Sequence, residues 1–277
     1  MKRRYLLLIV TIVMLSCSDN ELILDNSLDP KNPDYLPPET AILKDNTFPP
    51  IVEGVLVENS LLVNWEGNGE DMEFQFQLDM GVWSDWSSSN STILTYLDEG
   101  PHIFLVQSRY ASGLIEENPD TLEFTVDAID GASLRIHQLY TESSTNEGFS
   151  IDVYAEEVSA VTGASITINY GTEGMLLDTL IIGDFLSIYD QDIIYFYSTF
   201  ESAGLTTLQI DMATIGENDY VSGTGILFTL YFSSNNVGEW PIQFVPATFD
   251  EPFTTLRNAN NVSLPINELI NGLVNVE

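Results

Sequence analysis

Cysteine occurs once in these 277 residues, at Cys17, so no disulfide can form within the chain. Histidine occurs twice, as His102 and His137, in no metal-ligand spacing, which leaves too few donors for a zinc tetrad. Basic side chains are scarce: 8 Lys and Arg stand against 42 Asp and Glu, for a net charge of −34. A surface that acidic repels phosphate backbones, so DNA and RNA are excluded as partners. Proline is missing from residue 133 to residue 240, so strands in that stretch lose no ladder hydrogen bond. Signatures of chemistry are missing as well. No Gly-x-Ser-x-Gly elbow occurs, and Gly223-Thr224-Gly225 lacks the third glycine of a phosphate-cradling loop. Asp190-Gln191-Asp192 lacks the glycine and downstream glutamate of a calcium loop. Glu156-Glu157 and Asp250-Glu251 read as solvated loop charges rather than an acid/base pair. The expectation is a protein that is not an enzyme and needs no cofactor or metal.

Apolar content, by contrast, is ample. At 44% hydrophobic and 11% aromatic, the chain is long enough to bury two ordinary cores. Residues 1–16 read as a secretory signal: Lys2, Arg3 and Arg4 precede an apolar stretch of roughly 11 residues, short of the ~20 that span a bilayer. The stretch ends at Met14-Leu15-Ser16-Cys17, which resembles the lipobox of bacterial lipoproteins, with Met14 at the position three before the cysteine where Leu is common. That resemblance implies a diacylated Cys17 as the first mature residue, and hence a membrane contact through lipid. Loss of three basic residues with the signal would take the net charge from −34 to −37. Ser18-Asp19-Asn20-Glu21 resembles the export signal of Bacteroidota-type surface lipoproteins, implying the cell envelope, at the outer membrane and exposed. Residues 17–37, punctuated by Pro30, Pro33 and Pro37, read as an extended tether.

From residue 38 to residue 127 the pattern is β. Met72-Glu73-Phe74-Gln75-Phe76-Gln77-Leu78 alternates strictly, which puts Met72, Phe74, Phe76 and Leu78 on one face. Shorter runs at 61–65, 103–106 and 122–126 are separated by turn residues such as Gly67-Asn68-Gly69 and Asp98-Glu99-Gly100. Trp65, Gly81-Val82-Trp83-Ser84-Asp85-Trp86, Gly100-Pro101-His102-Ile103-Phe104 and Thr121-Leu122-Glu123-Phe124-Thr125-Val126 together resemble a bacterial fibronectin type III or immunoglobulin-like module. The resemblance implies a spacer or binding platform. Trp83 and Trp86 are expected to fill this sandwich.

Residues 128–277 carry a second series of β runs, at 133–139, 149–155, 165–170, 193–198, 206–212, 226–232, 242–244 and 273–276. So many strands fit a jelly-roll sandwich. Gly148-Phe149-Ser150-Ile151-Asp152-Val153-Tyr154, Gly163-Ala164-Ser165-Ile166-Thr167-Ile168-Asn169-Tyr170, Gly183-Asp184-Phe185-Leu186 and Val221-Ser222-Gly223-Thr224-Gly225 resemble, in order and spacing, segments of the cohesin domain. The fold class is therefore all-β: two β-sandwiches, the second cohesin-like, behind a signal peptide and tether. The resemblance implies docking of a protein partner, such as one bearing a dockerin. Many cohesins have Asp after the tyrosine matched by Tyr170, on the face that meets dockerin; this chain has Gly171.

Within this second region Ile193-Ile194-Tyr195-Phe196-Tyr197-Ser198 holds the candidate binding residues. If Ile194 and Phe196 face the core, Tyr195 and Tyr197 face outward as a platform for a protein or a sugar ring; the alternative is that the two tyrosines merely cover the sheet edge or pack against neighbouring strands. The expectation is a lipid-anchored, non-catalytic surface protein that docks a protein partner. Its alternative is a polysaccharide-binding surface lipoprotein, and a third reading is a structural subunit whose acidic loops hold calcium.

Overall fold

The computed structural model describes residues 31–187, 192–216, 220–248 and 253–277. The signal, Cys17 and the first part of the tether lie outside the described residues, as do Asp250 and Glu251. Among the described residues the chain is built of strands, with two single-turn 3-10 segments, Lys44–Asn46 and Phe185–Ser187, and no α-helix.

Seven strands form the first sandwich: β1 (Thr40–Ile42), β2 (Val55–Leu56), β3 (Leu61–Gly67), β4 (Glu73–Leu78), β5 (Ser91–Leu94), β6 (Gly100–Arg109) and β7 (Asp120–Val126). They make a three-stranded sheet, β1-β3-β5, and a four-stranded sheet, β2-β7-β6-β4. Alternation does the sorting: Leu61, Val63 and Trp65 of β3 point inward, as do Phe104 and Val106 of β6. Trp65 centres the core, with the rings of Phe74, Phe76 and Phe104 about 6 Å away. Trp83 and Trp86 do not fill it. Both are half-buried, and Trp86 instead carries the Arg109 guanidinium 4.4 Å above its ring, where Arg109 also pairs with Glu73. The last tether residues lie on this sandwich: Tyr110 Oη donates to the Leu36 carbonyl and Asn68 Nδ2 to that of Pro37.

The second sandwich contains β8 (Ser133–His137), β9 (Tyr140–Ser143), β10 (Gly148–Val161), β11 (Gly163–Gly171), β12 (Met175–Ile182), β13 (Asp192–Ser202), β14 (Leu205–Ile215), β15 (Val221–Ser234), β16 (Gly238–Phe244), β17 (Thr255–Arg257), β18 (Ser263–Leu264), β19 (Glu268–Ile270) and β20 (Gly272–Val276). One sheet runs β12-β15-β10-β8-β19; the other runs β13-β14-β11-β16-β20-β9, with β17 and β18 attached beside β11. The inward residues of β10 and β15 (Ile151, Val153, Phe228, Leu230) meet those of β11 and β14 (Ile166, Ile168, Leu208, Ile210) in a separate core. Glu156 lies in β10, largely buried, rather than in a solvated loop: its Oε2 accepts from Arg135 Nε at 2.6 Å.

The two cores are joined through the β5–β6 turn. Asp98 Oδ1 accepts from the Leu139 amide and lies 3.1 Å from His137 Nδ1. Tyr96 stacks on Tyr140, and Glu99 Oε1 accepts from the Ala128 amide.

Candidate partner-binding site

The hairpin β13–β14 sets the geometry of the exposed sheet. Its turn is Ala203-Gly204, two residues with φ of 53° and 80°, the positive values that a tight two-residue hairpin requires. That turn fixes the register, with Ser202 opposite Leu205, Tyr197 opposite Ile210 and Tyr195 opposite Met212. Directly opposed residues share a face. Ile210 and Met212 are buried in the core, so Tyr195 and Tyr197 stand on the core side of the sheet, and Ile194, Phe196 and Phe200 stand on its outer side.

This is the reverse of the orientation that an outward tyrosine platform requires. The tyrosines are still 43% and 47% exposed, because an edge strand overhangs the core and gains cover on one flank only. Tyr197 lines a cavity of about 240 Å³ at the open side of the sandwich, with Tyr170, Met175, Thr199, Glu201 and Thr206. Burial pushes the Tyr170 phenol above its ordinary value there, partly offset by its hydrogen bond with Thr206. The signal that would have found the true orientation was the Ala203-Gly204 turn together with the regular inward run Leu208, Ile210 and Met212.

The outer face is the more open surface. Phe196 is 69% exposed and Phe200 57%. Ile194 and Phe196 form one wall of a groove of about 400 Å³, whose other walls include Ala164, Ala213, Arg257 and Asn261. Around the apolar residues lie short polar groups that are already paired: Ser165 Oγ donates to Asp211 at 2.6 Å, and Thr207 Oγ1 to Asn169 at 2.8 Å. Strands β13, β14 and β11 carry no Lys or Arg, and the charged groups lining the groove are Asp211 of β14 and Arg257 of β17.

Both histidines are held by carboxylates elsewhere. His102 Nδ1 lies 2.6 Å from Asp79 Oδ2 and its Nε2 is 2.7 Å from the Asp98 carbonyl, while His137 meets Asp98 at the junction. Among the described residues no group of three or more His, Cys, Asp or Glu is placed to hold a metal ion. Gly171 owes its identity to packing. A Cβ there would lie 2.5 Å from the Trp240 ring, and one on Gly174 would lie 2.0 Å from it.

No protein-family model matches the sequence, and no curated protein matches it. Among solved structures, the chain is similar to a type II cohesin domain from the cellulosome of Acetivibrio cellulolyticus, at 15% identity over 53% of this chain and 96% of that one, with a TM-score of 0.45. It is similar to a non-cellulosomal cohesin from the hyperthermophilic archaeon Archaeoglobus fulgidus at 13% identity, covering 53% and 92%, with a TM-score of 0.42. A cohesin–dockerin complex from Clostridium thermocellum matches at 14% identity, covering 53% and 100%, with a TM-score of 0.40.

Proposed function

We propose that this chain is a non-catalytic receptor whose second sandwich docks a protein partner on the outer face of β13, β14, β11 and β16. The observation that carries the reading is the exposure of Ile194, Phe196 and Phe200 on one side of the sheet, with Ile194 and Phe196 beside an open groove. Large side chains of that kind, ringed by polar groups, are the usual anchors of a protein interface. The partner's matching surface is apolar at its centre and basic at its rim, since the receptor carries a net charge of −34. A dockerin-bearing protein is the partner that the cohesin-like segments suggest. In the same reading Cys17 carries the lipid, the tether and a fibronectin type III-like first sandwich act as spacers, and the face is displayed outside the outer membrane.

The sugar-binding alternative has less support, because Tyr195 and Tyr197 sit on the core side of the sheet and do not form an outward platform. The test is capture from the native surface proteome with the chain from Ser18 onward, alongside Phe196→Glu and Phe200→Glu. A specific protein that is captured by the parent chain and lost with both variants supports the reading. Equal capture by all three, or a glycan array that lights up while no protein is retained, overturns it.

A further inference from the structure

An edge strand offers a row of unpaired backbone donors and acceptors, and proteins ordinarily blunt it with brevity, bulges, proline or lysine. Most edges here are blunted. Among the described residues β9, β19, β1, β2 and β5 are four residues or shorter, and β12 carries a register break between Leu177 and Thr179. The flank of β4 is bridged by Ser84 and Ser87. β13 has none of these defences. It runs for 11 residues, pairs without a register break to β14 and, among the described residues, to no other strand, and holds no Pro, Lys or Arg.

We infer that β13 is the dimer interface of this protein, pairing antiparallel with β13 of a second copy about a twofold axis through Tyr197. The strand is self-complementary in that register. Positions equidistant from Tyr197 face each other, so Ile194 of one copy meets Phe200 of the other, and Phe196 meets Ser198. On the other face Tyr195 meets Thr199. The two acids also avoid each other: Asp192 faces Ser202, and Glu201 faces Ile193. Apolar cross-strand pairs of this kind stabilise a sheet, and like charges directly opposite would not. A partner with an unrelated strand has no reason to match this symmetry; a second copy does so automatically. Because the axis stands perpendicular to the sheet, both outer faces point the same way and remain open. The inference concerns the strand edge and does not depend on what docks on that face.

The long-range charge of −37 on the chain from Ser18 onward, 5 Lys and Arg against 42 Asp and Glu, opposes association, so the dimer should strengthen as salt rises. The experiment is sedimentation velocity of the chain from Ser18 to Glu277, which contains both cores and no cysteine of its own. A concentration-dependent dimer is expected. Ser198→Lys, at an exposed position, sets two like charges astride the axis and should weaken association at least about tenfold with unchanged near-UV circular dichroism. Tyr197→Cys should form an intermolecular disulfide under mild oxidation, since that residue faces its own copy, whereas Thr199→Cys should not. A monomer at every concentration and salt overturns the inference. So does a dimer that ignores Ser198→Lys, or one in which Tyr197→Cys fails to cross-link.

Discussion

Arg135 shows how a charge is held inside this protein. Its Nε donates to Glu156 at 2.6 Å, its guanidinium lies 4.2 Å over the Tyr154 ring, and its Nη1 has no hydrogen-bond partner. Both side chains are largely buried, so the pair is worth keeping only as a pair. Glu156→Gln should therefore cost about 3 kcal/mol by urea unfolding, and Arg135→Met, which strands the Glu156 carboxylate, a similar amount, while the double replacement, which removes both charges, should cost clearly less than the two singles together. A double replacement that costs as much as the two singles together would show that packing, not charge, governs this site. Glu116 plays a comparable part in the first sandwich. Its carboxylate accepts from the amides and hydroxyls of both Thr40 and Ser108, fastening β1 to β6. Glu116→Ala strands buried donors and should destabilise by about 2 kcal/mol or more, with faster amide exchange at Thr40 as the local readout.

At the scale of elements, the corner where β11, β12 and β16 meet is shaped by one indole. Trp240 packs across Gly171 and Gly174, and its Nε1 donates to the Asn236 carbonyl. Gly174→Ala should lose about 1–3 kcal/mol through overpacking. In a Trp240→Ala background the same change should cost much less, and a double-mutant cycle with no coupling would refute the contact. Gly171→Asp meets the same obstacle. Strand identity was largely legible in advance, because alternation over Phe74, Phe76 and Leu78 or over Ile151 and Val153 is set by burial on one face. Short strands such as β9, β17, β18 and β19 were not, since two to four residues carry no period. The orientation of β13 was hidden for a different reason. Both of its faces are apolar, Ile193, Tyr195 and Tyr197 against Ile194, Phe196 and Phe200, so composition alone cannot choose between them and only register does.

Across the whole molecule, the junction between the sandwiches is built on one turn, Asp98-Glu99, whose carboxylates hold the start of the second unit. Asp98→Ala removes the acceptor for Leu139 N and His137 and should broaden the interdomain distance distribution in solution scattering, while each core melts as before. Glu99 adds a dependence on pH. Burial raises its carboxyl above the ordinary 4.5, the Ala128 amide partly offsets that, and the Glu156 charge raises it further. A raised carboxyl favours the protonated folded state, so the stability it contributes is full below 4.5 and is lost as the pH rises through the folded value. Glu99→Gln keeps the acceptor for Ala128 and removes the titration. The variant should melt higher than the parent at neutral pH, and the gap should close on acidification below 4.5. Comparing the two chains at each pH cancels the contribution of the other acids. A gap that stays constant across the range would mean that Glu99 is as well solvated in the folded protein as in the unfolded chain.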